Sequence, residues 1–241
     1  MTKTDYKFLG IITARGGSKG IPKKNIKNMA GKPLIQYTFD AVKNSKLLTR
    51  CIVSSDDDEI INFSKSQNIE ALFKRPKELA TDQAQSVDVL IHSVNFLFNQ
   101  ENYIPDYIVT LQPTSPLRTG EDIDRAIDII IKDRDADSLV SVIKVPHNFN
   151  PYSVMEISEK YLQPYIKEKM IMRRQDKPKF FARNGAAIYI SCYDLLMNEK
   201  KIIGEKCLPY FMPKERSIDI DDYFDWRLAE LIIDGINNSN L

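Results

Sequence analysis

An apolar strand that runs directly into a glycine-rich, cation-rich turn constrains this chain more than any other feature. Ile11-Ile12-Thr13-Ala14 leads into Arg15-Gly16-Gly17-Ser18-Lys19-Gly20-Ile21-Pro22-Lys23-Lys24-Asn25. Gly16, Gly17 and Gly20 free the backbone for positive φ and for close approach to a ligand, so that amide N–H groups can point at phosphate oxygens. Arg15, Lys19, Lys23 and Lys24 add positive charge, a combination suited to polyphosphate. The orders G-x-x-x-x-G-K-[ST] and G-x-G-x-x-G are both absent, which sets aside P-loop NTPases and dinucleotide-binding Rossmann domains. A solvated basic turn after a first strand is the plainer alternative.

Beyond the turn, β-branched apolar runs alternate with amphipathic helical patterns, the signature of βαβ units in a mainly parallel sheet covered by helices on both faces. Strands are expected at residues 9–14, 51–54, 70–73, 107–111, 138–145, 186–191 and 207–212. Pro33 suits the first turn of a helix carrying Leu34, Ile35, Thr38, Phe39, Ala41 and Val42. In Ser55-Asp56-Asp57-Asp58-Glu59 an aspartate can cap the next helix, which explains that acidic cluster without a metal. Further helices are expected from Ser86, over Glu121 to Lys132, at Tyr193 to Met197, and at the end of the chain, the last containing Phe224, Leu228, Ala229, Ile232 and Ile233. Between residues 148 and 182 the alternation breaks into a stretch rich in proline, aromatics and cations, which reads as an inserted arm or hairpin. The core is then 1–147 with 183–241.

Charge must act locally, because 34 Lys and Arg balance 33 Asp and Glu, and neither nucleic acid nor an anionic membrane is indicated as a partner. Cys51, Cys192 and Cys207 form no C-x-x-C pair and read as reduced core residues of a cytoplasmic protein. The polar start of the chain and the lack of a long apolar run argue against secretion or membrane insertion.

Two further segments carry chemistry. Gln112-Pro113-Thr114-Ser115-Pro116-Leu117-Arg118 follows a core strand, at the place where an open α/β sheet holds its ligands. In an extended Asp219-Ile220-Asp221 both carboxylates share one face while Ile220 points into the core, so two hard oxygen ligands converge as at a magnesium site. Aspartates also cap helices, and Asp221 or Asp222 is placed to cap the terminal one. His92 and His147 have no partner at ligand spacing; His92 reads as structural, and His147 as the start of the arm.

With these segments in order, the chain resembles the acylneuraminate cytidylyltransferase family, bacterial enzymes that make CMP-linked sialic acids and related nonulosonic acids. The resemblance rests on residues 14–25, Arg75-Pro76-Lys77-Glu78-Leu79-Ala80-Thr81-Asp82, residues 111–118, Arg183-Asn184-Gly185-Ala186-Ala187-Ile188-Tyr189 and Ser217-Ile218-Asp219-Ile220-Asp221. It implies a Rossmann-like nucleotidyltransferase sheet of GT-A type with a dimerisation arm, working as a homodimer. It also implies attack of the sugar's anomeric hydroxyl on the α-phosphate of CTP, with Mg²⁺ as cofactor and pyrophosphate leaving.

By the same resemblance, Arg15, Lys24 and Asp221 are the catalytic residues, with Arg15 and Lys24 holding the triphosphate and steadying the departing pyrophosphate. Ala14, Gly17, Ser18 and Asn25 complete the nucleotide loop, Arg75 and Ser86 help recognise cytosine and ribose, and Asp219 with Asp221 holds the metal. On the residues alone, Arg75 is equally well a strand-end cation beside a proline. Gln112, Ser115, Arg174, Arg183 and Tyr189 correspond to sugar-binding positions, with Arg174 or Arg173 reaching across from a second subunit. The doubled Ala186-Ala187 leaves the alignment of Arg183 open by one residue. Ile202-Ile203 stand where sialic-acid enzymes place an aromatic pair, which points to a deoxygenated, diacetamido sugar such as legionaminic or pseudaminic acid. The alternatives are a 3-deoxy-manno-octulosonate cytidylyltransferase, a nucleotide-sugar glycosyltransferase using the D-x-D, and a non-catalytic nucleotide-binding module.

Overall fold

Alternating side chains on the central strand explain the layers of this protein. The computed structural model describes residues 6–167, 171 and 173–238; residues 168–170 and 172 of the expected arm lie outside them. On β1 (Phe8–Thr13), Phe8 and Ile12 face one apolar cluster and Leu9 and Ile11 face another, all four fully buried. A strand apolar on both faces must be central in a sheet covered on both sides.

The chain continues through a small ribbon of β2 (Asn28–Met29) and β3 (Lys32–Pro33) into α1 (Leu34–Asn44), then β4 (Arg50–Ser54), α2 (Asp58–Ser66) and α3 (Ser86–Glu101). There follow β5 (Tyr107–Leu111), α4 (Gly120–Lys132), β6 (Ser138–Lys144) and a hairpin of β7 (Met155–Ser158) and β8 (Tyr161–Pro164). After β9 (Phe181–Arg183) come β10 (Tyr189–Cys192), α5 (Tyr193–Met197), β11 (Cys207–Phe211) and α6 (Tyr223–Asn238). The main sheet runs β11-β6-β10-β5-β1-β4, with β9 also pairing with β6. Neighbours β5, β1 and β4 are parallel, as are β6 and β11, whereas β9 and β10 run antiparallel to their partners. Residues of α1, α2 and α4 pack in the first cluster, those of α3 and α5 in the second. A third joins Ile21 of the glycine-rich turn to Leu34, Ile220, Trp226 and Ala229.

Local signals account for several boundaries. Asp57 caps α2 by accepting from the Glu59 and Ile60 amides, and Thr119 with Asp122 forms a reciprocal capping box at α4. Pro33 stands just before α1, where its missing N–H costs nothing.

Other expectations change. Residues 70–73 are not a strand: Glu70 makes an isolated bridge to Ile52 of β4 and Lys74 another to Ser55 just beyond it, and the chain then delivers Arg75, whose amide bonds the Ser55 carbonyl at 2.7 Å. β10 begins at Tyr189 rather than Ala186, since Gly185 at φ +68° breaks the pairing and the Ile188 amide goes to the Ser141 hydroxyl. α6 contains the five apolar residues expected of the terminal helix, of which Ala229 and Ile233 are buried with Trp226, whereas Phe224 and Leu228 are exposed. The three cysteines are free, and by surface area half-buried rather than fully in the core.

Candidate active site

Because β1, β4 and β5 are adjacent and parallel, their C-terminal ends share one edge of the sheet, and a cleft of about 320 Å³ opens there. Arg15, Gly17, Ser18, Lys24 and Asn25 line it from the turn after β1. Arg75 and Asp82 enter from the segment after β4, Gln112 and Thr114 from the loop after β5, and Asp219 and Asp221 from the strand-like segment before α6. Ser86 opens α3, a 16-residue helix with no side-chain cap, so its positive end lies at the cleft wall.

The turn closes on itself through the Asn25 amide, which donates to the Arg15 carbonyl at 2.8 Å, and is tied to the end of β4 by the Gly16 amide, 3.0 Å from Asp56 Oδ1. None of Gly16, Gly17 and Gly20 adopts positive φ; Lys23, at φ 51°, makes the left-handed step instead. Gly20 serves close approach, since a Cβ there would stand 2.2 Å from the Asp221 carbonyl oxygen. Of the four cations only Arg15 and Lys24 line the cleft; Lys23 turns outward to Glu59 at 2.8 Å.

Lys24 reaches between the aspartates, its Nζ donating to the Ile220 carbonyl at 2.6 Å. Burial pushes its pKa down, against the pull of Asp221 and Asp219. Ile220 is fully buried and its amide bonds the Thr114 carbonyl at 2.9 Å, so the flanking carboxylates both face the cleft. Asp222, not Asp221, caps α6, accepting from the Phe224 and Asp225 amides at 2.8 and 3.0 Å.

Upstream, Arg216 pairs with buried Asp122 at 2.6 Å and Ser217 Oγ accepts from Asn184 Nδ2 at 3.0 Å. Burial opposes the Asp122 charge, but Arg216, Thr119 and Tyr210 hold its carboxyl below the ordinary value. These contacts fix the register of the aspartate segment from outside the cleft.

Asp219 Oδ1 is buried with no hydrogen bond of good geometry, and burial, opposed by the nearby Thr114 hydroxyl and Lys24 and aided by the Asp221 carboxylate, raises its pKa. A carboxylate in that condition, beside a second one, is a hard-oxygen donor set that fits a divalent cation. Gly185 is shaped to it: at φ +68°, a Cβ there would lie 2.4 Å from Asp219 Oδ2.

Arg75 is 5% exposed and donates through Nε to the Ser54 hydroxyl at 3.0 Å and through its terminal nitrogen to the Ser54 carbonyl, while burial holds its pKa down to about 10. It is therefore a strand-end anchor that also lines the cleft. Asp82, which sequence reading passed over although it ends the Arg75–Asp82 segment, accepts from Arg15 at 2.6 Å and from Lys19 at 2.8 Å.

A second cleft of about 630 Å³ shares Ser86 and Gln112 with the first and contains Arg183, Tyr189, Ile202 and Ile203. Burial raises the Tyr189 pKa, with Arg183 opposing.

Ala14 and Ser115 line neither cleft, and Arg174, expected to act on a second subunit's site, stands apart from both clefts of its own chain. Ala14 is fully buried, with its amide bonded to the Ser54 carbonyl at 3.0 Å, because it extends the β1 ladder. Ser115 is 1% exposed with its hydroxyl unpartnered, turned beneath the loop rather than into either cleft. Arg174 lines a separate basic cleft at the base of the hairpin with Lys144, Lys177, Lys179 and Lys214.

A sheet edge that gathers the cations of the glycine-rich turn and a D-x-D segment beside the ends of parallel strands suits a nucleotidyltransferase, and the chain belongs to the cytidylyltransferase family, whose model matches residues 9–207. Among curated relatives it is 31% identical to the post-translational flagellin modification protein B of Campylobacter coli, covering 94% of each chain. It is 29% identical to the CMP-N,N'-diacetyllegionaminic acid synthase of Legionella pneumophila, over 95% of this chain and 97% of that one. To the N-acylneuraminate cytidylyltransferase of Escherichia coli O18:K1:H7 it is 30% identical over 92% of its length, spanning about half, 51%, of that longer protein. The fold is that of a solved CMP:2-keto-3-deoxy-manno-octonic acid synthetase complexed with CTP, with a TM-score of 0.70 at 15% identity over 95% of this chain and 99% of that one.

Proposed function

We propose that this protein couples CTP to a nonulosonic acid, forming the CMP-linked sugar acid and releasing diphosphate. One observation carries the reading: a cationic cleft with paired aspartates shares its wall, at Ser86 and Gln112, with a second cleft that holds an arginine for an acidic acceptor. The anomeric oxygen attacks the α-phosphorus, the bond to the bridging oxygen of the β-phosphate breaks, and the hydroxyl proton passes to solvent. Arg15 and Lys24 receive the negative charge that grows on the leaving diphosphate, in a site already organised before reaction. Gln112 and Arg183 orient the acceptor, and the guanidinium suits its carboxylate in bidentate fashion.

Asp219 and Asp221 would hold Mg²⁺, which when bound neutralises phosphate charge and acidifies a nearby hydroxyl. Among the described residues no histidine lines either cleft, consistent with a reaction that needs no imidazole base. Ile202 and Ile203 make an aliphatic wall in the second cleft, which supports a diacetamido acid of the legionaminic type over N-acetylneuraminate.

A homodimer is supported by the hairpin: Ile157 pairs with Leu162 and Met155 with Pro164, and these side chains share one face, on which Ile157 is 75% and Leu162 67% exposed. The basic cleft containing Arg174 is then available to a second subunit's substrate. In the test, protein, CTP and Mg²⁺ are incubated with N,N'-diacetyllegionaminate, pseudaminate, N-acetylneuraminate and 3-deoxy-manno-octulosonate while pyrophosphate is measured. The legionaminate-type acid is expected to give the highest kcat/KM; no release with any acid would sink the proposal, and release only with the octulosonate would assign the acceptor differently.

A further inference from the structure

Arg118 is 2% exposed and lines neither the nucleotide cleft nor its neighbour. All its acceptors are uncharged: NH1 donates to the Ala187 carbonyl at 2.7 Å and to the Gln112 carbonyl at 3.2 Å, and NH2 to the Thr38 hydroxyl at 2.7 Å. Its Nε has no partner, and burial holds its pKa down to about 10. Among the described residues no carboxylate pairs with it directly, and Asp122 acts on it only at a distance and against the larger effect of burial. A guanidinium buried without a direct ion pair is costly, so space-filling does not account for it.

The two carbonyls come from segments that build the acceptor cleft. Gln112 lines both clefts, and Ala187 follows Gly185 and Ala186, which line the second. Between Arg183 and Tyr189 regular strand pairing lapses, and one backbone bond, from the Gln112 amide to the Ala186 carbonyl at 3.0 Å, joins these two segments directly. Arg118 adds a second link where the ladder is interrupted. The same interruption seats Gly185 against Asp219.

We propose that Arg118 is a positioning residue for the acceptor side of the reaction, holding the Gln112 and Ala187 carbonyls at a set separation and so setting the second cleft and the backing of Asp219. This rests on the second cleft being the acceptor site. The planar fork spreads these three bonds over two nitrogens held at a fixed separation, whereas a lysine ammonium presents its donors from one nitrogen.

The test compares Arg118→Lys with Thr38→Val, which removes only the tether to α1. In Arg118→Lys, hydrogen exchange at the Gln112 and Ile188 amides is expected to quicken about tenfold, with amides of β1 and β4 within about twofold. KM for N,N'-diacetyllegionaminate is expected to rise about tenfold while the Kd for CTP stays within about twofold. Thr38→Val is expected to lower the melting temperature without the selective exchange or the KM change. Uniform acceleration of exchange in Arg118→Lys, the same selective pattern in Thr38→Val, or an equal loss of CTP affinity would overturn the proposal. If wild type turns over no sugar acid the acceptor reading fails, and the exchange comparison still decides whether Arg118 holds the two segments.

Discussion

Arg15 NH1 lies 2.6 Å from Asp82 Oδ1, so the leading cation of the nucleotide cleft is engaged by a carboxylate from the opposite wall. The other oxygen of Asp82 meets Lys19 at 2.8 Å, and these two cations hold the Asp82 carboxyl below its ordinary value. Asp82 thus stands where an anionic ligand would compete with it.

That competition predicts the effect of Asp82→Asn. The pair is solvent-exposed, and exposed ion pairs are weak, so CTP and pyrophosphate should bind only a few-fold more tightly in the variant. Calorimetric titration at low and high salt measures this, and the gain should shrink with salt. Weaker binding would show that Asp82 orders the loop rather than competing with phosphate.

Lys24→Ala is expected to lower kcat by roughly 10²–10³-fold, the usual effect of removing a donor aimed at developing charge. Folding should change little, within about 3 °C of wild type, because a buried ammonium with a lowered pKa is a cost to the folded state at neutral pH. An unchanged turnover number would remove Lys24 from the reaction.

Asp219 is predicted to tie stability to pH and to magnesium. Its folded pKa is raised above the ordinary aspartate value, so its ionised form opposes folding above that raised pKa, and the opposition fades as pH falls through it. Asp219→Asn should therefore melt higher than wild type without metal at pH 8, with the difference lost in acid. Mg²⁺ at tenfold over its Kd should stabilise wild type by about 1.4 kcal/mol, or roughly 3–5 °C, and the variant less. Equal magnesium shifts in both proteins would place the metal elsewhere.

Ile157→Lys, on the exposed face of the hairpin, should convert a dimer into a monomer in sedimentation velocity, because a charge in the middle of an apolar contact has no partner there. CTP binding to the monomer should survive, since the residues of the first cleft come from one chain. A variant that remains dimeric would move the interface off the hairpin.

Much of this architecture was legible because it depends on local patterns. Phe8, Leu9, Ile11 and Ile12 announce a central strand, Asp57 a helix start, and Asp219-Ile220-Asp221 a pair of carboxylates on one side of a buried residue. Ser115 and Ala14 sit among site residues in sequence and away from them in space, because neighbours along a strand or tight loop point in opposite directions. Asp82 and Arg118 gave no local signal, since apart from the Arg118–Gln112 bond their contacts are with residues 63 to 80 positions away.

By itself, then, the sequence determined the strand and helix order, the glycine- and cation-rich turn and the paired aspartates, all consequences of short-range sterics and hydrophobic period. Tertiary structure alone decided which of two aspartates caps α6 and that Gly20 and Gly185, rather than a flexible turn, allow the aspartate segment to approach. It also decided that the nucleotide cleft adjoins a second one through Ser86 and Gln112. Those outcomes follow from segments distant in the chain being packed within van der Waals reach, where the absence of one Cβ or the presence of one acceptor settles the geometry.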